Sequence, residues 1–216
     1  MSFLSELKTQ ANALQNQQQG VTQDLAANTA ATELACKITS KYLQDLCSQL
    51  NIIQPPAHGS YSLDGKAQFP VLALKQFRCD ARQKMLRNAQ VHDYIGMGWD
   101  LLPATGKVAS HSVTVNFPPD LERVAQRLAT GQVQHERKEL RHPDTNKLQA
   151  YVFEYTTHVR GSIMVTPDHD RGELVFRVAN VGGFELQTAK YPAGQVNQAL
   201  LDELAKKLVG QGSRFG

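Results

Sequence analysis

Cysteine, proline, aromatic residues and long apolar runs are all scarce in this chain, and each shortage excludes something. Three cysteines among 216 residues, Cys36, Cys47 and Cys79, are too few and odd in number for a disulfide framework. They fit a reducing compartment better. Cys36 and Cys47 stand eleven residues apart, about three helical turns, so they share a face but lie too far apart to bond to each other. No apolar run approaches the roughly 18 residues that a membrane-spanning helix needs. Met1 to Lys8 carry no basic stretch followed by an apolar one, so no secretion signal is expected and the cytoplasm is the default location.

Catalytic signatures are missing as well. The sequence has no GxSxG, GxxxxGK[ST], HExxH or paired CxxC, and no GxGxxG after a strand. Seven histidines are scattered with no two at a metal-ligand spacing, so no metal and no cofactor is expected. Bulk composition, 20% charged and 41% hydrophobic by a broad count, excludes collagen-like and wholly disordered chains. A net charge of +3 is too small to name a partner.

The N-terminal quarter is a different text from the rest. Before Pro55 there is no proline and one glycine, Gly20. Leu4, Leu7, Ala11 and Leu14 follow helical 3-4-3 spacing. Thr22 with Asp24 reads as a fresh helix start, and Leu25, Ala31, Leu34, Ala35, Ile38, Tyr42, Leu46 and Leu50 mark an apolar side. Residues 1–54 are therefore predicted as a helical segment, either two helices or one helix kinked near Gly20. The second half either packs on the later sheet or belongs to a self-associating arm.

Residues 54–59 are a linker, and from there the period changes to two. Val71, Ala73, Phe77, Cys79 and Ala81 alternate with polar residues. Val91, Ile95, Met97, Trp99 and Leu101 do the same, and Val113, Val115 and Phe117 form a third run. Pro118-Pro119-Asp120 opens a helix that ends at Gly131. The charged run Val133 to Arg141 is predicted as an edge strand. One long strand is predicted from Leu148 to Thr166 with a bend or bulge at Gly161. Asp168 to Gly172 is a hairpin turn, with Asp168 capping it and Gly172 left-handed, rather than a calcium loop. Two further strands and a helix closing at Gly210 complete the chain.

The expected fold class is α+β. One large antiparallel sheet of about seven strands is flanked by helices, in the order helices-βββ-α-ββββ-α, with residues 59–216 forming the sheet domain. The order of elements resembles that of bacterial secretion chaperones, at the level of order alone and with no shared motif.

One local constellation could bind an anion. Residues 71–90 hold five basic side chains, Lys75, Arg78, Arg82, Lys84 and Arg87, against the single acid Asp80. On the alternation, Arg78, Arg82 and Lys84 face away from the core. A turn near Leu86 to Ala89 that keeps core facing core would set Arg78 and Arg82 beside Tyr94, Gly96 and Gly98, a bare strip flanked by guanidinium groups. The other reading is a solvated basic face. Cys79, beside Phe77 on the core face, reads as a structural thiol. His92 and Asp93, neighbours on a strand, point to opposite faces and cannot pair through their side chains.

These observations favour a non-enzymatic interaction protein, an adaptor, chaperone-like or assembly subunit, with a protein partner or self-association and no membrane. The alternatives are a nucleic-acid-binding protein using residues 75–87, whose binding would weaken with salt, and a small-ligand-binding protein or enzyme with a sheet–helix pocket.

Overall fold

A computed structural model describes residues 3–105 and 107–216, with only the backbone described at 3–6, 9, 11 and 13–21. It is an α+β fold. Helix α1 spans Phe3–Ile53, the hairpin strands β1 and β2 span Leu72–Leu86 and Ala89–Pro103, and β3 is Ser110–Val115. Helix α2 is Pro118–Thr130. Five strands follow: β4 His135–Arg141, β5 Leu148–Thr156, β6 Val159–Asp168, β7 Glu173–Ala179 and β8 Leu186–Pro192. A 3-10 turn at Ala193–Gln195 leads into α3, Gln198–Leu208. No helix among the described residues is long and apolar enough to cross a membrane.

The single large sheet expected from the sequence is two sheets. Five antiparallel strands run in the order β1-β2-β6-β7-β8, and three in the order β3-β5-β4. The division falls inside the run read as one strand from Leu148 to Thr166. Phe153, Tyr155, Thr157, Val159, Ile163 and Val165 are all buried, so the alternation persists throughout. The backbone changes partners between Thr156 and Val159: β5 pairs with β3 and β4, β6 with β2 and β7. A period of two reports which side is buried and is silent on which strand lies alongside.

Gly161 is no bend. It pairs with Trp99 in unbroken register, and a Cβ there would lie inside the indole, against Cε2, Nε1 and Cζ2. The residue is small because the fully buried Trp99 occupies its space. Gly131 follows α2 with a right-handed φ of −75°, and Gln132 is the left-handed residue, φ +47°. A Cβ on Gly131 would meet the Phe184 ring at 2.5 Å.

Helix α1 runs unbroken through Gly20 and Thr22. One glycine in a helix interior costs about 1 kcal/mol, too little to end a helix of this length. The stripe at Leu4, Ala11 and Leu14 lies outside the described side chains. Further along, the buried positions are Thr32, Ala35, Cys36, Thr39, Leu43, Cys47 and Leu50. Of the expected stripe only Ala35 and Leu50 are buried; Ala31, Leu34 and Ile38 are exposed, and Leu25, Tyr42 and Leu46 are half-buried. The helix turns its small side chains inward, because threonines, alanine and thiols allow close approach to a sheet surface already filled by larger groups.

That surface follows from the register. Met97, Ile163 and Val178 form one cross-strand row, and Ile95, Val165 and Phe176 the next; all are buried beneath α1 and α3 in one continuous core. Leu201, Leu204 and Leu208 supply the apolar side of α3. Asn180 ties the layers together, donating to Thr130 O at 2.7 Å and Arg160 O at 2.6 Å. Burying such an amide demands these partners.

Strand β1 is an edge strand of the five-stranded sheet. A bulge between Lys75 and Arg78, with Gln76 at φ +56°, interrupts its ladder. Val71 and Ala81, expected on the core face, are exposed, while the consecutive Leu72, Ala73 and Leu74 are buried. Asn51 near the end of α1 completes the bulge: its Nδ2 donates to Phe77 O at 2.9 Å and its Oδ1 accepts from Phe77 N at 2.8 Å. The side-chain amide thus takes the place of a neighbouring strand.

Candidate functional site

The β1–β2 turn is built from Arg87 and Asn88, both left-handed at φ +50° and +63°, the arrangement that matches strand twist in a two-residue hairpin. The turn pairs Leu86 with Ala89, and one extra residue on β2, Asp93, then shifts the register to Arg82 with Tyr94, Asp80 with Gly96 and Arg78 with Gly98. Arg78 and Arg82 thus do stand beside Tyr94, Gly96 and Gly98. The bulge at Gln76 adds one residue to β1, so Lys75, opposite Asp100, shares their face. The same face continues through Ser162 and Met164 of β6 and Arg177 and Ala179 of β7. The strip is one end of the sheet's outer surface.

The charge of the strip differs from what the sequence suggested. Asp80 is not the only opposing acid. Arg78 reaches Asp100 at 3.6 Å, and Lys84 reaches Asp93 at 2.9 Å. Arg87 is bound to Asp170 and donates to Thr29 Oγ1 at 3.0 Å. Asp100, with its side chain only 6% exposed, also gathers His158 at 3.0 Å and Arg160 at 3.9 Å. Asp80 accepts from the Tyr94 hydroxyl at 2.9 Å and would lie against any Cβ on Gly96. That bond to Asp80 raises the Tyr94 pKa. Lys75 and Arg82, the other two of the five basic residues, form no ion pair among the described residues. Pairing with acids 9, 22 and 83 residues away in sequence cannot be read from a local charge count.

The chain matches no family model, no curated protein and no solved structure. Its chemistry has to be read from its own geometry.

A second constellation escaped the sequence altogether. His92 was expected on the outer face with Tyr94. An irregularity between Arg82 and Gln83 leaves Asp93 as an extra residue on β2, and this turns His92 inward. Its Nδ1 lies 2.9 Å from Glu33 Oε2, and its backbone N–H donates to Glu33 Oε1 at 2.7 Å. His92 and Asp93 do point apart, Asp93 to Lys84 and His92 to Glu33. Cys36, one turn beyond Glu33 on α1, completes a group whose donor atoms all lie within 4.8 Å of one another. His169, from the β6–β7 turn, donates Nε2–H to His92 O at 2.8 Å and stands 3.9 Å from Glu33 Oε1; its buried Nδ1 has no partner. The signal available in the sequence was a lone glutamate on the same helical face as Thr29, Thr32 and Cys36.

The turn that delivers His169 is built as its residues require. Asp168 Oδ1 accepts from the N–H groups of Asp170 and Arg171, and Gly172 is left-handed at φ +69°. Asn28 donates to Asp170 O at 2.8 Å. Beside His169 a cleft of about 320 Å³ opens to solvent between Lys84, Leu86, Thr166 and Asp170.

Cys36 and Cys79 are poor nucleophiles. Burial first, and the Glu33 charge second, pushes the Cys36 thiol up to about 12. Burial, then contact with Cys47, does the same to half-buried Cys79, whose thiol donates to Leu43 O at 3.2 Å. Thiolate, the reactive form, is therefore rare at neutral pH.

Proposed function

We propose that the chain is a non-enzymatic assembly protein that self-associates through α1. The observation that carries this reading is the unequal burial of that helix. It is 51 residues long, about 77 Å at 1.5 Å per residue. From Asn28 to Ile53 it is bonded to and packed on the rest of the chain. Every described side chain from Leu7 to Asp24 is exposed, including Leu7 at 45%. Most helical stability in proteins comes from packing an amphipathic face against a neighbour rather than from propensity. The 3-4-3 spacing of Leu4, Leu7, Ala11 and Leu14 supplies such a face. On the packed half, Ala27, Ala31, Leu34 and Ile38 form an outer row at spacings of four, three and four, all exposed, which extends the apolar surface that a second copy would cover.

Light scattering and sedimentation on the full chain test this. A dimer or larger species is expected, reduced to monomer by Leu7→Asp with Leu34→Asp. A monomer at all concentrations would overturn the reading.

A further inference from the structure

We propose that Glu33, Cys36 and His92 form a structural site for a borderline-soft divalent metal ion, zinc above all, with His169 as a further donor. The donor set is one carboxylate, one thiol and one imidazole, brought together from α1 and β2 within 4.8 Å. Sulfur and nitrogen donors select zinc-like ions over magnesium or calcium. In a tetrahedral zinc site the ligand atoms stand about 3.3–3.8 Å apart, given bond lengths of about 2.0–2.3 Å. The widest separation therefore needs to close by about 1 Å at most, while Glu33 Oε2 and His92 Nδ1, now 2.9 Å apart, would open slightly.

Three features support a ligand here rather than a plain core contact. Glu33 and Cys36 are one turn apart, so the helix presents both to the same point. Cys36 is fully buried and His92 is 7% exposed, a polar group of groups whose burial is costly without strong partners. His169, itself 4% exposed, carries an unpartnered Nδ1 beside the cluster. Its Nε2–H is held by His92 O at 2.8 Å, so Nδ1 is the ring nitrogen that keeps a lone pair for an ion. The cleft lined by Lys84, Leu86, Asp168 and His169 leads from solvent to this corner.

The chemistry balances simply. The ion binds, the Cys36 sulfur loses its proton to solvent, and the thiolate, imidazole and carboxylate share the metal's positive charge. Three protein donors leave a fourth position for His169 or a water, and the role of the site is to hold α1 against β2 and the β6–β7 turn.

Cobalt(II) added to the full chain, stripped first with chelator and reductant, tests the assignment. Expected are a near-ultraviolet thiolate-to-cobalt absorption, its displacement by zinc, and a higher thermal midpoint with either ion. Cys36→Ser should abolish the absorption, and Glu33→Gln should weaken zinc binding by at least about tenfold. The double variant Cys47→Ser/Cys79→Ser keeps the cysteine of the site and should retain the absorption, which guards against a misfolded Cys36 variant. No absorption in the parent chain, or an absorption that survives Cys36→Ser or disappears in the Cys47/Cys79 variant, would overturn the proposal.

Discussion

Gly161→Ala is the sharpest perturbation of this fold. The added methyl would lie against three ring atoms of Trp99. Trp99 is fully buried and stacked on Phe77 at 5.8 Å between centroids. Phe77 is in turn bonded through its backbone to Asn51, so the indole cannot withdraw by sliding the strand. Overpacking a tight core costs about 1–3 kcal/mol, and rigid neighbours on both sides place this case near the top, at about 3 kcal/mol. For a chain of this size that lowers the thermal midpoint by about 6–12 °C. The chain has one tryptophan, so the emission of Trp99 during urea unfolding reads the effect at the site of the clash. Gly98→Ala is the control. There the nearest atom to a new Cβ is Gly161 O at 3.8 Å, and the change should be within about 0.5 kcal/mol of neutral or slightly stabilising. Trp99→Phe in the Gly161→Ala background, followed by circular dichroism because no tryptophan remains, should recover part of the loss, with a coupling of about 1 kcal/mol. If Gly161→Ala unfolds within about 0.5 kcal/mol of the parent, the space argument is wrong.

Other outcomes follow from the same geometry. Asn51→Ala removes both bonds to Phe77 and leaves that residue's backbone N–H and C=O unpaired at the bulge, at a cost of about 1–3 kcal/mol; equilibrium denaturation checks it, and hydrogen exchange at Phe77 should quicken. Asp64 is subject to burial that alone would raise its pKa, but the amides of Lys66 and Ala67 and the Ser62 hydroxyl hold it below its ordinary value of 3.8. A folded pKa below the unfolded one stabilises the chain above the unfolded value, and the contribution is lost as pH falls through the folded value. Asp64→Ala should therefore be destabilising at neutral pH, with the difference from the parent shrinking in acid-denaturation measurements. Cys36, with its thiol held protonated near 12, should resist alkylation at neutral pH in the native chain and react once urea unfolds it; mass spectrometry of the modified peptides decides this.

Much of the layout was legible in the residues themselves. Alternation located every strand of the hairpin and of β6 and β7, because one buried face imposes a period of two. Pro118, Pro119 and Asp120 opened α2, and Gly172 and Asp168 made the β6–β7 turn, because these effects operate within one turn of chain. That Arg78 and Arg82 lie along the Tyr94 to Gly98 stretch followed from keeping core facing core, but the pairing of Arg78 with Gly98 needed the extra residue Asp93, since a two-residue turn alone sets Arg78 opposite Met97. Tertiary structure alone decided the rest. Which strand lies beside which split one expected sheet into two. Space already taken by Trp99, rather than flexibility, explains Gly161. The filled sheet surface chose the small side chains of α1 over Leu34 and Ile38. Asp93, Asp100 and Asp170 reached the basic strip from elsewhere, and a single extra residue on β2 turned His92 toward Glu33 and Cys36. Local patterns record what a residue's neighbours in sequence require, whereas charge balance, close approach and a shared binding point depend on neighbours in space.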